Sequence, residues 1–368
     1  MGIAETYSRG RQFAVDRPFA LALALVAVVL AADLLVGLAT GRTAFSDVGS
    51  LVWDGLMRGL VIGLAGIGLS MTYSILNFAN FAHGDYITAG AFSGWAATYL
   101  LAGFGRADIG ALLLVGAGGS VYGGTLGISI TSTPVAIVLG LLVAGVFGVA
   151  LSLLIDRLVF RPIRDQSGIT LLITSIGVAF ALRYLMQFVF GPSVRGTTDQ
   201  PPSISLYFVD GAVRISMHDL TLAVVAVGLM LGVHLLLQTT KLGKAMRAMA
   251  DNEDLARVTG IPTERVVRSV WIIGGGLTGV AGYMFILWKG TLSFNDGWIL
   301  LLLIFAAVIL GGIGSVYGAI AGGLIIGLTA SLSVVWIPSA FARAAAFMVM
   351  IVILIVKPQG IFSGRATA

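Results

Sequence analysis

The chain has 368 residues, 58% of them from the AVILMFWYC set and only 11% charged, with 50 glycines and no cysteine. A soluble domain carries about 25% charged residues, so a soluble fold is excluded, as are a disulfide scaffold and a disordered chain. The net charge of +5 does not indicate a nucleic-acid partner, because the basic residues fall in short loops between apolar blocks.

Those blocks reach the roughly 20 residues needed to cross a bilayer and lack the alternation, about 10 residues at a time, that marks a transmembrane barrel. The expected fold class is an all-α polytopic membrane protein with broken or re-entrant helices. In chain order the apolar windows are Pro18–Ala39, Gly55–Leu76, Tyr86–Phe104, Val135–Ile155, Ile169–Phe190, Leu220–Leu237, Val266–Trp288, Trp298–Leu310, Val316–Leu332 and Ala340–Val356. The first is longer than the apolar core of a signal peptide, about 7–15 residues, and reads as a transmembrane helix. Arg157, Arg161 and Arg164 mark one cytoplasmic loop, and Lys241, Lys244, Arg247, Arg257, Arg265 and Arg268 mark another. Parity then predicts about ten crossings with both termini cytoplasmic, provided that the glycine-rich stretch Gly105–Pro134 does not cross. The expected organisation is a cytoplasmic tail over 1–17, an extra N-terminal transmembrane helix over 18–39, a transmembrane domain over 40–356 and a cytoplasmic tail over 357–368. Within the domain, 191–219 is an extracytoplasmic loop with room for a small cap, and 241–265 is a cytoplasmic loop.

Few side chains point to chemistry. The chain has no P-loop, no H-E-x-x-H and no cysteine, so neither a catalytic residue nor a metal site is expected. Gly274–Gly279 matches G-x-G-x-x-G only formally, since it lies in an apolar span with no strand before it. His218 and His234 read as solvated or locally bonded. Asp33 and Arg183 lie toward the outer ends of their windows, where snorkelling or a local partner accounts for them.

Asn77-Phe78-Ala79-Asn80-Phe81-Ala82-His83-Gly84-Asp85 interrupts two apolar windows. It reads either as a short hairpin whose side chains cap helix ends or as a helix break beside a transport path, because polar groups at that depth need partners or water. Lys241–Arg268 holds a short helical stretch, Asp254–Thr259, ended by Gly260 and Pro262. A helix held between two spans reads as a docking element; the alternative is a charged loop on the anionic leaflet. Gly311-Gly312-Ile313-Gly314 separates two short windows and is either a break around a transport path or a tight interhelical turn. Gly314, Gly318 and Gly322 recur every four residues, which suits close helix packing.

Three of these segments carry a resemblance. Asn80-Phe81-Ala82-His83-Gly84-Asp85, Gly243-Lys244-Ala245-Met246-Arg247-Ala248 through Gly260-Ile261, and Leu310-Gly311-Gly312-Ile313-Gly314-Ser315 with Gly318-Ala319 and Gly322-Gly323 follow in one order. Lys357-Pro358-Gln359-Gly360-Ile361-Phe362 adds a weaker fourth match. Together they resemble the inner-membrane permease subunits of ATP-binding-cassette importers for branched-chain amino acids, whose close relatives import urea and short-chain amides. Asp85 stands where Glu is more usual, and the first span and Gly105–Pro134 look additional to the family's compact form.

The resemblance implies a multi-pass protein of a prokaryotic inner membrane that translocates branched-chain or related amino acids and is not itself an enzyme. The expected partners are a second, paralogous permease, two cytoplasmic ATPases, an extracytoplasmic solute-binding protein and membrane lipid. ATP and Mg would be bound by the ATPases, and this chain would hold no cofactor. Asn77, Asn80, Phe81, His83, Gly84 and Asp85 would line the substrate path. Ala250, Asp254, Leu255, Ala256, Val258 and Gly260 would couple to the ATPase, and Gly311, Gly312, Gly314, Gly318 and Gly322 would pack or break helices. The competing readings are a permease for urea or short-chain amides, and a stand-alone ion-coupled carrier.

Overall fold

The computed structural model describes residues 18–105 and 126–362; the 1–17 tail, most of Gly105–Pro134 and the last six residues of the 357–368 tail lie outside them. Each apolar window is a helix: α1 (Pro18–Ala39), α2 (Phe45–Leu76), α3 (His83–Ala102), α4 (Pro134–Ile155), α5 (Gly168–Phe190) and α6 (Met217–Thr239). Two short helices follow, α7 (Lys241–Asp251) and α8 (Glu253–Val258), and then α9 (Thr263–Lys289), α10 (Asp296–Gly311), α11 (Val316–Leu332) and α12 (Ala342–Val356). Seven helices are long and apolar enough to cross a membrane; α3 is not among them, and α10 and the apolar part of α1 are shorter. The protein is thus a helical multi-pass membrane protein with seven candidate spans among the described residues.

The all-α expectation needs one amendment. Two antiparallel strand pairs occur, β1 (Arg195–Gly196) with β4 (Thr291–Leu292) and β2 (Ser203–Phe208) with β3 (Gly211–Ser216). Three of the four strands lie in the polar 191–219 segment, and they tie it to helix ends. Asp210, at the tip of the β2–β3 hairpin, accepts the N–H groups of Phe45 at 2.5 Å and Ser46 at 3.2 Å, two of the unpaired donors that open α2. Ser216 and Asp219 form a capping box at the start of α6, and Asp219 also accepts the Trp53 indole N–H at 3.0 Å.

Glycine stripes set the helix spacing. A Cβ at Gly55 or Gly59 of α2 would lie 2.9 or 2.8 Å from the Cα of Leu328 or Leu324 of α11, so those backbones are in direct contact. The order of these pairs makes the two helices antiparallel. On the other side of the core, Gly148 of α4 backs onto Gly275 of α9, and the Ser152 hydroxyl donates to the Trp271 carbonyl at 2.9 Å. Arg164, beyond α4, pairs with Glu264 at the start of α9 at 2.8 Å, so the two basic loops lie on one side.

The helix pairs α2–α3 and α9–α10 are built alike. α2 and α9 are each followed by a six-residue link to the next helix, and each link opens on a left-handed residue, Asn77 (φ 53°) and Gly290 (φ 72°). At the same offset Gly63 matches Gly276, Leu64 matches Leu277, Gly66 matches Gly279, Phe81 matches Phe294 and Gly84 matches Gly297. The matched glycines meet: Gly84 packs on the Gly297 backbone and on Leu301, while the Gly297 N–H donates to Thr88 Oγ1 at 3.0 Å. Thr88 and Leu301 are matched positions too, so the contact has the reciprocal form of an isologous interface.

Candidate functional site

The polar segment after α2 is not a surface hairpin. His83 Nε2 lies 2.9 Å from the Ala65 carbonyl, eleven residues before the end of α2, so the link climbs back along that helix by about 16 Å. It is irregular backbone at membrane depth, which is tolerated where protein surrounds it. Asn77, the left-handed cap of α2, is the exposed entrance to the link. Asn80 is fully buried, and its Oδ1 accepts the Ala82 N–H at 3.0 Å. The Phe81 N–H donates to Ser175 Oγ of α5 at 3.0 Å, and the Phe81 ring packs 4.9 Å from Phe305 and 6.3 Å from Trp298 of α10.

Three further residues join α3 to its neighbours. His83 bridges α2 and α9, since its Nε2 also lies 3.3 Å from Thr278 Oγ1. Gly84 lets α3 touch α10. Asp85 is fully buried and takes two hydrogen bonds from Arg183 of α5, from Nε at 3.1 Å and from Nη2 at 2.9 Å. The Arg183 guanidinium in turn lies over the Trp298 ring, 4.2 Å from its centroid, with Phe180 at 5.4 Å. Of the explanations open for Arg183, the local partner applies and snorkelling does not. Asp33 likewise has local partners, Arg42 at 2.7 Å and the Trp336 indole at 3.0 Å. Asn80 Nδ2 and the Tyr86 hydroxyl are both buried and lie beside each other.

The glycine run after α10 is a tight turn between antiparallel helices. Gly311 and Gly318 touch backbone to backbone, and Gly322 packs on Ala307. Gly312 (φ 106°) and Gly314 (φ 86°) reverse the chain, and Ser315 caps α11 by accepting the Gly318 N–H at 2.9 Å. The C-terminal motif completes this corner. The Ile361 and Phe362 N–H groups donate to the Leu310 and Gly311 carbonyls at 2.9 and 3.0 Å, which α10 leaves open.

The polar segment after α6 forms two helices joined at Asn252, whose side chain accepts the Leu255 N–H at 2.8 Å. Gly260 (φ 86°) ends α8: its N–H donates to the Arg257 carbonyl at 3.1 Å, and the Ile261 N–H donates to the Ala256 carbonyl at 3.0 Å, a Schellman arrangement. Ala256 is 2% exposed and faces the protein, whereas Leu255 and Val258 are 61% and 85% exposed. Asp254, Ala250 and Gly260 are exposed as well. α7 lies against the glycine turn, since Met246 and Ala250 share a cavity of about 40 Å³ with Ser74, Gly314 and Val316. His218 and His234 are locally bonded, to the Ile130 N–H at 3.1 Å and the Tyr317 hydroxyl at 2.6 Å.

The residues expected to form one path thus mostly join helices to one another. Sequence reasoning missed Thr278, Trp298 and the pairing of Arg183 with Asp85. The available signal was Arg183 itself, an ionisable residue in a span that needed a buried carboxylate.

A multi-pass helical bundle with an irregular link inside it, and with Leu255 and Val258 exposed on a short helix of a basic loop, has the make-up of a membrane transport protein. The chain belongs to the family described as branched-chain amino acid transport system / permease component, whose model matches residues 51–356. It is similar to the high-affinity branched-chain amino acid transport system permease protein LivH of Escherichia coli (strain K12), 27% identical over 315 residues covering 84% of this chain and 94% of that protein. The permease protein BraD of Pseudomonas aeruginosa, named for the same type of system, is 26% identical over 313 residues, 84% of this chain and 93% of that one. A probable branched-chain amino acid transport permease protein LivH of Methanocaldococcus jannaschii is 29% identical over 326 residues, 85% and 90% of the two chains. The α1 helix precedes the matched region.

Proposed function

We propose that this chain is the transmembrane permease of an importer for branched-chain or related amino acids, driven by ATP hydrolysis in separate subunits. Family membership over residues 51–356 carries this reading, and the Lys241–Arg268 segment supports it. The exposed Leu255 and Val258 form an apolar face on a helix of six residues whose ends are fixed by Asn252 and Gly260. A solvated connector has no use for such a face, and an ATPase can bury it. Ala256 anchors α8 to the protein, so a push on α8 passes to α9 and, through α7, to the Gly312–Ser315 turn. Shifting the permease from 1:99 to 99:1 between two conformations takes about 5.5 kcal/mol of differential binding.

Ten crossings with both termini cytoplasmic is the topology of this reading. Helicity in every apolar window, the antiparallel packing of α2 with α11, and the common side of the two basic loops support it. The α3 and α10 N-termini at the matched glycines, with Asn80, His83 and Asp85 beside them, are where a zwitterionic substrate would pass, its carboxylate toward the helix N-termini. A second permease would complete the path, one of the two ATPases would dock on the α7–α8 face and the other on the second permease, and a solute-binding protein would deliver substrate at the β2–β3 side. ATP and Mg belong to the ATPases.

The test is reconstituted uptake. With ATPases, second permease and binding protein present, leucine uptake is expected to need ATP, and Leu255→Asp to cut ATPase co-purification and uptake at least tenfold without unfolding the chain. Uptake by the chain alone under an ion gradient would establish a stand-alone carrier and overturn the proposal.

A further inference from the structure

Two cavities follow one another along the seam of α4 and α9. The first is a groove of about 530 Å³ between α4, α6 and α9, lined only by aliphatic residues and glycine, among them Leu142, Val146, Leu229, Gly232, Ile272 and Gly276. The second begins one helical turn further along the same two helices, from Val149 to Leu153 on α4 and from Ile272 to Arg268 on α9. It measures about 390 Å³ and is lined by Asp156, Arg157, Arg161, Glu264, Arg265 and Arg268, with Leu153 and Val267 on the side of the groove.

The charges in the second cavity do not cancel. Asp156 is taken by Arg164 at 2.8 Å, and Glu264 by Arg164 at 2.8 Å and Arg161 at 3.8 Å. Arg157, Arg265 and Arg268 are exposed and have no carboxylate partner among the described residues. The wall is fixed: Ser152 bonds the Trp271 carbonyl, and Phe160 stacks on Trp271 at 5.6 Å and 6°.

We infer that the seam binds one anionic phospholipid, with its phosphodiester among Arg157, Arg265 and Arg268 and an acyl chain in the groove above. Charge complementarity selects the headgroup, and continuity with the groove selects a lipid over a soluble anion, which would fill only the basic cavity. The basic cavity lies on the side of the two basic loops, where anionic lipids of that leaflet meet the protein. The groove runs from Val149 to Leu141, about 12 Å along the helix, into the hydrocarbon layer. An aqueous protein partner does not reach that depth. The inference requires only that the chain sits in a membrane, and it is independent of what the chain transports.

Native mass spectrometry of the full chain, purified in detergent and offered dioleoylphosphatidylglycerol or dioleoylphosphatidylcholine, tests it. These lipids share acyl chains and differ in headgroup charge. The wild type is expected to retain phosphatidylglycerol at least tenfold over phosphatidylcholine, and the double variant R157Q/R268Q to bring that ratio within twofold. Gly232→Phe is expected to lower retention of both lipids, because a Cβ at Gly232 meets nothing within 4 Å and the ring can enter the groove without displacing protein. Equal retention of the two lipids by the wild type, or an unchanged ratio in the double variant, would overturn the headgroup assignment. Displacement of phosphatidylglycerol by millimolar inorganic phosphate, or no effect of Gly232→Phe, would overturn the acyl assignment.

Discussion

Arg183 depends on one carboxylate. Its side chain is 8% exposed, Asp85 is fully buried, and the two hydrogen bonds between them leave Asp85 without access to solvent. Removing one member leaves an uncompensated buried charge, which costs about 3–5 kcal/mol, whereas replacing both with apolar residues of similar size is close to neutral. Asp85→Asn should therefore lower the melting temperature of the detergent-solubilised chain sharply, and the Asp85→Leu/Arg183→Leu double variant should recover most of the loss. A double variant no more stable than the single one would show that the pair is not the main tie between α3 and α5. Sequence alone marks both residues as unusual. It cannot pair them, because they are 98 positions apart and the register of α5 against α3 leaves no trace in hydropathy.

The helices themselves were legible because apolar runs of this length have no other stable form in lipid. Their ends were less so. α2 starts ten residues before its apolar window, since Ser46, Asp47, Ser50 and Asp54 interrupt the apolar run there and the helix is capped by Asp210 from a distant hairpin. Its far end rests on Asn77, whose φ of 53° costs a β-branched residue about 1–2 kcal/mol and glycine nothing. Asn77→Gly should leave the melting temperature within a degree or two, and Asn77→Val should lower it measurably; equal behaviour of the two would mean that the left-handed cap does not set the direction of the link. The C-terminal motif was recognised by resemblance alone, and its physical use appears only with α10 in place. Gly360 has a φ of 83°, and a Cβ there would lie 2.6 Å from Gly312 Cα. Gly360→Val should detach the last residues from α10, seen as faster hydrogen exchange at Ile361 and Phe362.

Across the whole molecule the two matched halves explain where the polar residues lie. Each half carries a long helix, a left-handed cap, an irregular link and a second helix whose N-terminus meets its counterpart. The sequence does hold this repeat, in Gly63-Leu64 with Gly66 and in Gly276-Leu277 with Gly279, but glycine and leucine are so frequent here that the match stands out only once Gly84 and Gly297 are seen to touch. The formal G-x-G-x-x-G run belongs to the same arrangement, with Gly274 facing Gly68 and Gly275 facing Gly148. The reciprocal contact has a consequence for genetics. A larger residue at Gly84 would ordinarily be relieved by a smaller one opposite, yet the residue opposite is Gly297, which has nothing left to remove. Selection for restored uptake in a Gly84→Ala strain should therefore return true revertants, or changes at Leu301 that open the neighbouring space, and no suppressor at position 297.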